Sequence, residues 1–578
     1  MRSREGGRAK PRPGESIMRH DNTAVIFNPL SLHLINFKLS MKNNISLLLL
    51  TGVAMLGACK HESKQAQPIT ADEIKSHIAV LANDSLTGRK PFTEGETKTI
   101  AYISQQFKKL GLEPGNDSSY FQEVPMVEIK GTPSETMEIS GGKSPIVLHS
   151  SADFVASTRQ ELDMVELKNS PLVFAGYGVI APEYHWNDYA ALDVKGKTVV
   201  VLVNDPGFKG DTMTYYGRWT YKYEEAARQG AAGVIIVHQT QAASYPWTVV
   251  NNSFTGAKLY LQQKDKHLNR CKVEGWITED AAKQLLGNAG ITGDMRVLAR
   301  KKDFKAVPLN LNVSVTIHNK LKYSTSHNVI ATLRGSSNHG EYIIYTAHWD
   351  HLGVGKPDAK GDSIYNGAVD NASGVAALIS MAKAFTGTKE KPKRSIVFLA
   401  VTAEEQGLLG SEYYATHPVY PLNKTIANLN MDALGSYGET KDFSITGMGQ
   451  NDLDDYVKKY ADENGWEVVG DRNPGSGSYY RSDHFNFAKA GVPALDMNNG
   501  QTSLAHDAEW GKKQQKDYNA NHYHQPSDNY TPAMDASGMA QTANLLFNIG
   551  YQLSNENSFP GWKNGSEFKA VRDKSLGR

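Results

Sequence analysis

The chain has 578 residues, of which 40% are hydrophobic and 21% are charged, and its 62 basic and 61 acidic side chains leave a net charge of +1. This length exceeds one ordinary core, so we expect more than one domain. A net charge this close to zero shows no excess of basic residues, which excludes nucleic acid as a partner. The two cysteines, Cys59 and Cys271, are too few for a disulfide scaffold or a thiolate metal site. Any metal site must therefore use His, Asp and Glu.

The N-terminal segment has the features of an export signal. From Met41 the sequence MKNNISLLLLTGVAMLGAC carries Lys42 and then an apolar run that is short for a membrane span. Its end, Leu-Gly-Ala-Cys59, resembles a bacterial lipoprotein signal, in which the cysteine is lipidated and becomes the mature N-terminus. An ordinary signal peptide with an incidental cysteine is the alternative.

These features predict the organisation of the first 70 residues. We expect 1–40 to be a non-native or disordered extension, 41–59 the lipoprotein signal peptide and 60–70 a polar linker. Acyl chains on Cys59 would anchor the protein to the bacterial envelope without a spanning helix. Lys60 after the cysteine favours the outer membrane.

Residues 71–112 are predicted to form two helices. Thr70 precedes Glu73 by three residues, which is a capping pattern. Helical spacing of apolar residues then runs through IKSHIAVLA and TIAYISQQFKKLGL. These helices lead into a larger domain.

Residues 155–310 have the character of a β-rich insert. The runs LVFAGYGV, KTVVVLVND and AGVIIVH are rich in Val and Ile and are bounded by Gly, Asp and Asn, which predicts strands. The segment YEEAARQGAAGVIIV adds one helix that runs into a strand. No candidate catalytic residue stands out in this region.

From residue 327 strands alternate with helices. Apolar runs such as EYIIYTA, RSIVFLAVTA and KTIANLNM alternate with helical segments such as NASGVAALISMAKAF. This alternation predicts an α/β domain with a mostly parallel sheet sandwiched by helices. We expect this domain to comprise 71–154 and 311–555, with 155–310 inserted and 556–578 a C-terminal tail.

Polar side chains end several predicted strands. His348 and Asp350 follow the run EYIIYTA, and as residues two apart in a strand they would project the same way. The Glu404-Glu405 pair and Asp432 follow two later strands. Ligands of open α/β sheets bind beyond these carboxyl ends.

Three further residues lie in loops. Asp370 lies between glycines in NGAVDNASG, just before a helix, and Tyr523 and His524 lie in NHYHQPSDN. A strand-end histidine is usually a surface group, and a lone carboxylate is usually a helix cap. None of these residues alone indicates a functional site, but their occurrence together at strand ends and in loops does.

Six separated segments resemble the co-catalytic di-zinc aminopeptidase family, which includes aminopeptidases of the S and Y kinds and the glutamate carboxypeptidases. In the family's order they are AHWDHLG, NGAVDNASG, TAEEQGLLGSEYY, NMDALG, SDHFNFAKAGVPAL and YHQPSDN. They cover 320–555, and the insert is similar to the protease-associated domain that the family often carries. The resemblance implies the zinc-exopeptidase type of α/β fold.

The resemblance implies two Zn²⁺ ions per chain. Asp370 would bridge them, His348 and Asp432 would complete one zinc, and Glu405 and His524 the other. Three protein ligands for each ion leave a position open to water, as a catalytic zinc requires.

The resemblance also assigns catalytic roles. Glu404 would be the general base, Asp350 would accept a hydrogen bond from the far nitrogen of His348, and Tyr523 would donate to the oxyanion.

Four more residues belong to these segments. Ser482, Asp483 and His484 would lie near the substrate pocket, and the alternative is a helix cap by Ser482 with Asp483 in the first turn. His351 has no ligand role in the family and is expected either to support other side chains or to be exposed.

The implied function is that of a zinc metallopeptidase, an aminopeptidase that removes N-terminal residues from peptides through a zinc-bound water. A carboxypeptidase would call for an arginine-rich pocket, and only Arg472 and Arg481 lie near the motifs. The fold alone is also compatible with a one-zinc glutaminyl cyclase or a non-catalytic binding protein. The sequence does not indicate the oligomeric state.

Overall fold

The computed structural model describes residues 67–190 and 192–578. The predicted extension, the signal peptide with Cys59 and most of the predicted linker lie outside the described residues. None of the helices in the described part of the chain is long and apolar enough to cross a membrane.

The described residues form fourteen α-helices: α1 Ala71–Leu81, α2 Glu94–Lys109, α3 Trp219–Arg228, α4 Thr240–Ala243, α5 Trp247–Ser253, α6 Glu279–Asn288, α7 Met295–Ala299, α8 Gly374–Thr386, α9 Leu409–Thr416, α10 Leu453–Asn464, α11 His484–Lys489, α12 Trp510–Asn521, α13 Ser537–Asn555 and α14 Lys569–Ser575.

Their strands are β1 Glu113–Pro114, β2 Phe121–Pro133, β3 Thr136–Gly141, β4 Ile146–His149, β5 Phe154–Ser157, β6 Met164–Phe174, β7 Ile180–Ala181, β8 Trp186–Asn187, β9 Thr198–Leu202, β10 Gly233–Val237, β11 Lys258–Leu261, β12 Val273–Ile277, β13 Val307–Leu333, β14 Asn338–His348, β15 Gly353–Val354, β16 Ile364–Tyr365, β17 Arg394–Val401, β18 Thr425–Asn430, β19 Asp442–Ile445, β20 Glu467–Gly470 and β21 Ala494–Asn499.

The sheet that carries the predicted site residues is mixed, with a parallel centre. Strands β17, β14, β18 and β21 pair in parallel in that order. Antiparallel β13 flanks β17, and antiparallel β19 flanks β21. The predicted α/β architecture is confirmed, and the parallel strands bring their carboxyl ends to one edge.

Helices cover both faces of this sheet because the strand residues alternate between two apolar cores. Tyr345 of β14 belongs to the core that also contains buried residues of α1, α2, α8 and α13. Its neighbour Ile344 belongs to the other core, with Tyr414 of α9 and Phe487 of α11. With both faces covered, the central strands read as continuous apolar runs.

The lead-in helices form as predicted. The Thr70 hydroxyl caps α1 by accepting a hydrogen bond from the Glu73 backbone N–H at 3.3 Å. The buried face of α1 carries Ile74, Ile78 and Leu81, at the spacing of one helix face.

The insert has its own parallel strands, β6, β9, β10 and β12, with β5 antiparallel at one edge. The 27-residue strand β13 pairs with β6 of the insert in its first half and with β17 in its second half. The boundary predicted at 310/311 therefore lies inside a continuous strand. Insert and sheet domain also touch through an ion pair of 2.6 Å between Lys489 Nζ and Glu224 Oε1.

The C-terminal segment 556–578 is part of the fold, which corrects the expectation of a tail. Trp562, Phe568 and Arg572 are buried. The Arg572 guanidinium donates to the backbone carbonyls of Leu422 and Thr425 at 3.0 and 2.8 Å. A few large side chains at wide spacing anchor this segment, and they leave little periodic signal in its sequence.

A close approach between α13 and β14 gives a test of this packing. A Cβ at Gly550 would overlap the Tyr345 hydroxyl, which donates to the Leu546 carbonyl at 2.8 Å. We expect Gly550→Ala to lower the free energy of unfolding by about 1–3 kcal/mol, the usual cost of overpacking. Urea denaturation measures this change.

The matched control is Gly287→Ala in α6, where an added Cβ meets open space. That change should be neutral or stabilising by up to about 1 kcal/mol, because alanine is the better helix former. Equal unfolding midpoints for Gly550→Ala and the unaltered protein would contradict the close packing.

Candidate metal centre

The sheet topology brings the five predicted metal ligands to one place. His348 ends β14, Glu405 follows β17 and Asp432 follows β18. Asp370 lies in the helical turn Ala368–Ser373 that leads into α8, and His524 lies in the loop after α12. These elements are distant in sequence and meet at the carboxyl edge of the parallel strands.

Asp370 lies at the middle of this cluster. One of its carboxylate oxygens lies 3.2 Å from Nε2 of His348, and the other lies 3.2 Å from Nε2 of His524. His348 Nε2 is also 3.1 Å from Asp432 Oδ1, and His524 Nε2 is 3.1 Å from Glu405 Oε2. Both histidines thus contact Asp370. His348 also contacts Asp432, and His524 also contacts Glu405.

The donor atoms fit divalent zinc. Tetrahedral coordination with bonds of about 2.1 Å separates two donor atoms by roughly 3.4 Å, close to the 3.1–3.2 Å found here. Two groups have donor atoms that all lie within 4.8 Å of one another, namely His348 with Glu404 and Asp432, and His351 with Asp370 and Glu405. They overlap the predicted ligand sets but contain Glu404 in place of Asp370 and His351 in place of His524. Imidazole and carboxylate are both ordinary zinc ligands.

The electrostatics of the cluster are strongly negative. Burial alone would lower the pKa of His348, but the Asp432 and Glu404 carboxylates raise it well above its usual value. Burial likewise opposes protonation of His524, whose pKa Asp370 and Glu405 raise to about 10. The potential that raises these pKa values also attracts a divalent cation.

Asp350 differs from its predicted geometry. Strand β14 ends at His348, so the two side chains do not project as a strand pair. His348 Nδ1 lies 3.1 Å from the backbone carbonyl of Asp350, whereas the nearer carboxylate oxygen is 3.8 Å away. The carboxylate instead accepts the backbone N–H of Glu404 at 3.0 Å. The partner of His348 is therefore a main-chain carbonyl, and Asp350 positions Glu404.

Glu404 lies beside the cluster. Its Oε2 is 3.9 Å from His348 Nε2, and its side chain is 11% exposed. Burial raises the pKa of Glu404 well above its usual value, against the opposing effect of His348. A carboxylate at the edge of a metal site is placed to exchange protons with a group bound there.

Tyr523 is near the cluster and open to solvent. Its ring stacks on the His524 ring with centroids 3.9 Å apart, and the residue is 37% exposed. Partial burial of the side chain and the Asp370 charge raise the pKa of Tyr523, so the phenol stays protonated and able to donate.

Ser482, Asp483 and His484 are buried, which does not suit direct contact with a substrate. Ser482 Oγ donates to Asp432 Oδ2 at 2.5 Å, so it orients a predicted ligand. Asp483 accepts from Ser411 Oγ at 2.5 Å and makes no side-chain cap on α11. Their place near the substrate pocket stays a prediction, because Ser482 adjoins the cluster through Asp432, whereas no side chain caps α11.

Two residues gain roles that the sequence left open. His351 is buried, and its Nδ1 lies 2.6 Å from Glu405 Oε1, so it supports a predicted ligand. Asp528 accepts the backbone N–H groups of Val369 and Asp370 at 3.0 and 3.1 Å and fixes the turn that presents Asp370. The only signal for either was its position within a motif.

A cavity of about 470 Å³ adjoins the cluster. Its wall includes Val369, Ala433 and Tyr523, which precede Asp370, follow Asp432 and precede His524 in the chain. The cavity therefore lies next to the chain neighbours of three predicted ligands, Asp370, Asp432 and His524.

Two family models match the chain. Residues 328–549 match peptidase family M28, and residues 168–265 match the PA domain. The peptidase family match covers the parallel centre of the sheet, and the PA domain match precedes it in the chain. The first match covers every residue of the metal cluster, and the second lies within the predicted insert.

Several curated relatives and solved structures are similar to this chain. A glutamate carboxypeptidase 2 homolog from Caenorhabditis elegans is 23% identical over 63% of this chain and 51% of its own length. Aminopeptidase NAALADL1 from Mus musculus is 33% identical over 22% of this chain and 16% of its own. The chain therefore spans about half of the first relative and less of the second. An aminopeptidase structure from Aneurinibacillus sp. strain AM-1 is 22% identical, with a TM-score of 0.45, and the match covers 85% of this chain and 96% of that one.

Proposed function

We propose that the protein is an aminopeptidase that uses two zinc ions. The observation that carries the proposal is the sharing of Asp370 between two histidine and carboxylate groups, with Glu404 beside them. His348 and Asp432 would hold one ion, and Glu405 and His524 the other. Bound zinc would supply Lewis-acid chemistry, lowering the pKa of a water molecule and polarising the scissile carbonyl.

Glu404 would move the proton. As the water attacks the peptide carbonyl, the Glu404 carboxylate accepts its proton and then delivers it to the leaving amine. Asp350 fixes the backbone of Glu404 through the 3.0 Å hydrogen bond. Tyr523, exposed at the mouth of the site, would donate to the oxygen on which negative charge develops.

The charge of the site supports recognition of an amine. Glu405 and Asp432 would be neutralised as zinc ligands, whereas the Glu404 carboxylate beside them could pair with a cationic amine next to the scissile bond. The adjoining cavity offers room for the side chain of the N-terminal residue. Relatives named as aminopeptidases support the same choice.

A second candidate is a carboxypeptidase of the same fold, and a specific cavity favours it. A cavity of about 440 Å³ between the insert and the sheet domain is lined by Arg218, Lys258 and Arg481 and by no acidic residue. Arg218 belongs to the insert, so the sequence motifs did not point to it. Arg472, in contrast, pairs with Asp442 at 3.2 Å. A cationic cavity of this kind suits the carboxylate of a peptide C-terminus.

Matched peptides separate the two candidates. We expect the purified, zinc-loaded protein to hydrolyse amino-acyl chromogenic substrates and to release N-terminal residues from free peptides. N-acetylation of the same peptides should lower kcat/KM by at least about 100-fold, because a site that pairs with an amine rejects a substrate without one. Chelation should abolish the activity and zinc should restore it.

The opposite result would be release of C-terminal residues from the N-acetylated peptides with no cleavage of the amino-acyl substrates. That outcome contradicts the aminopeptidase and supports the carboxypeptidase. Cyclisation of N-terminal glutamine with one zinc per chain would contradict both and indicate a cyclase.

Glu404→Gln tests the proton-transfer role. The amide keeps the size of the side chain but accepts no proton, so we expect kcat to fall by about 100-fold or more while bound zinc stays near that of the unaltered protein. Glu405→Gln is the contrasting variant, because it alters a proposed ligand and should lose zinc. Turnover and zinc content measured together decide the assignment, and near-native turnover in Glu404→Gln would show that the base is another group.

We also propose, on the sequence alone, that Cys59 carries the lipid that anchors the protein to the envelope. Mass spectrometry of the N-terminal peptide of the native protein should find an acylated cysteine at position 59. An unmodified N-terminus, or one generated by cleavage elsewhere, would contradict the anchor.

A further inference from the structure

Arg89 is a buried arginine beneath the metal cluster. It ends the turn Asp84–Arg89 between α1 and α2, and its side chain is 1% exposed. The turn fits tightly there, because a Cβ at Gly88 would lie 2.5 Å from the carbonyl oxygen of Tyr365. The turn therefore holds the Arg89 guanidinium at one fixed place.

The guanidinium donates to four backbone carbonyls. Nε bonds to the Trp349 carbonyl at 2.9 Å, and Nη2 bonds to the Gly367 carbonyl at 3.0 Å. Nη1 bonds to the carbonyls of Leu81, at 2.8 Å, and Asn366. Among the described residues no carboxylate forms an ion pair with it.

These carbonyls belong to the segments that present predicted ligands. Trp349 lies between His348 and His351, and the Arg89 carbonyl itself accepts the His351 backbone N–H at 3.4 Å. Asn366 and Gly367 immediately precede the turn that presents Asp370. One side chain thus ties the residues that follow β14 to the turn that leads into α8.

Arg89 also brings a positive charge close to the carboxylates. Burial lowers the pKa of Arg89 to about 10, against the opposing effects of Asp528, Asp370, Asp350 and Glu405. The side chain is therefore cationic at neutral pH. It offsets the repulsion among buried carboxylates without competing for their oxygens.

We propose that Arg89 is a positioning residue for the metal centre, which holds the 349–351 and 366–370 segments in the geometry that binds zinc. The inference rests on the proposed zinc site but not on the proposed reaction. Preorganised ligands bind a metal more tightly because less ordering remains to be done on binding. We call the four hydrogen bonds from Arg89 to backbone carbonyls the four-carbonyl clamp. Loss of this clamp should weaken zinc binding by more than a general loss of stability would.

The test is direct measurement of zinc affinity in the full chain. The metal is removed with a chelator, and zinc is titrated back in competition with a chromogenic chelator. We expect Arg89→Met to weaken zinc binding by about 10- to 100-fold, as losses of supporting residues around metal sites usually do. Arg89→Lys keeps the charge with one donor group and should fall between Arg89→Met and the unaltered protein.

Arg572 offers a matched control. It is also a buried arginine that donates to backbone carbonyls, but it lies at Thr425, the end of β18 opposite Asp432. We expect Arg572→Met to lower the Tm of the metal-free protein yet leave zinc affinity within about twofold, since distant sites act independently. The rise in Tm on adding zinc should shrink in Arg89→Met alone.

Equal loss of zinc affinity in Arg89→Met and Arg572→Met would overturn the proposal, and so would unchanged affinity in Arg89→Met. If Arg89→Met does not fold, Arg89→Lys decides, and native affinity in that variant overturns the four-carbonyl clamp. Zinc binding without peptidase activity in the unaltered protein, with weakened binding in the Arg89 variants, supports the clamp and contradicts only the proposed function. Absence of zinc binding in the unaltered protein overturns both.

Discussion

The structure depends on the burial of several carboxylates at one edge of a sheet. Asp350, Asp370, Glu404 and Glu405 lie within a few residues of the ends of two parallel strands or in the turn beside them, and are almost wholly withdrawn from water. Burying an unpaired carboxylate costs several kcal/mol. Every neighbouring group therefore has to supply a hydrogen bond, a positive charge or a place for a metal ion.

Different neighbouring groups stabilise these buried carboxylates in different ways. Imidazoles contact the carboxylate oxygens that face the centre, and backbone N–H groups bind Asp350 and Asp528. Arg89 does not contact the carboxylates. It donates hydrogen bonds to backbone carbonyls of the segments that carry the ligands. Such support matters because a metal site must hold its ligands in geometry before the ion arrives. The insert does not supply any of these groups, but its Arg218 lines the cationic cavity described above.

Much of this arrangement can be predicted from the sequence. Apolar runs of strand length alternating with helices predict a parallel sheet, and the topology then places the residues that end its strands together. His348, Asp370, Glu405, Asp432 and His524 therefore meet, although the chain between the first and the last passes through several strands and helices. Their expected roles came from the resemblance of the six motifs, in this order, to a known peptidase family.

What the sequence could not predict depends on local geometry or on distant partners. Asp350 turns to the Glu404 backbone because β14 ends two residues before it. Asp483 is buried against Ser411, a partner in another helix. Arg89 resembles any charged residue in a turn, because its carbonyl acceptors at 349, 366 and 367 lie far along the chain. The C-terminal segment is anchored by Trp562, which no periodic pattern marks.

The central claim is that Asp370 joins two metal ions. A crystal structure of the zinc-soaked protein, with anomalous diffraction recorded on both sides of the zinc edge, tests it most directly. The account predicts two zinc peaks, one bound by His348 and Asp432, the other by Glu405 and His524, with an Asp370 oxygen on each. A single peak, or peaks that do not contact Asp370, would contradict it.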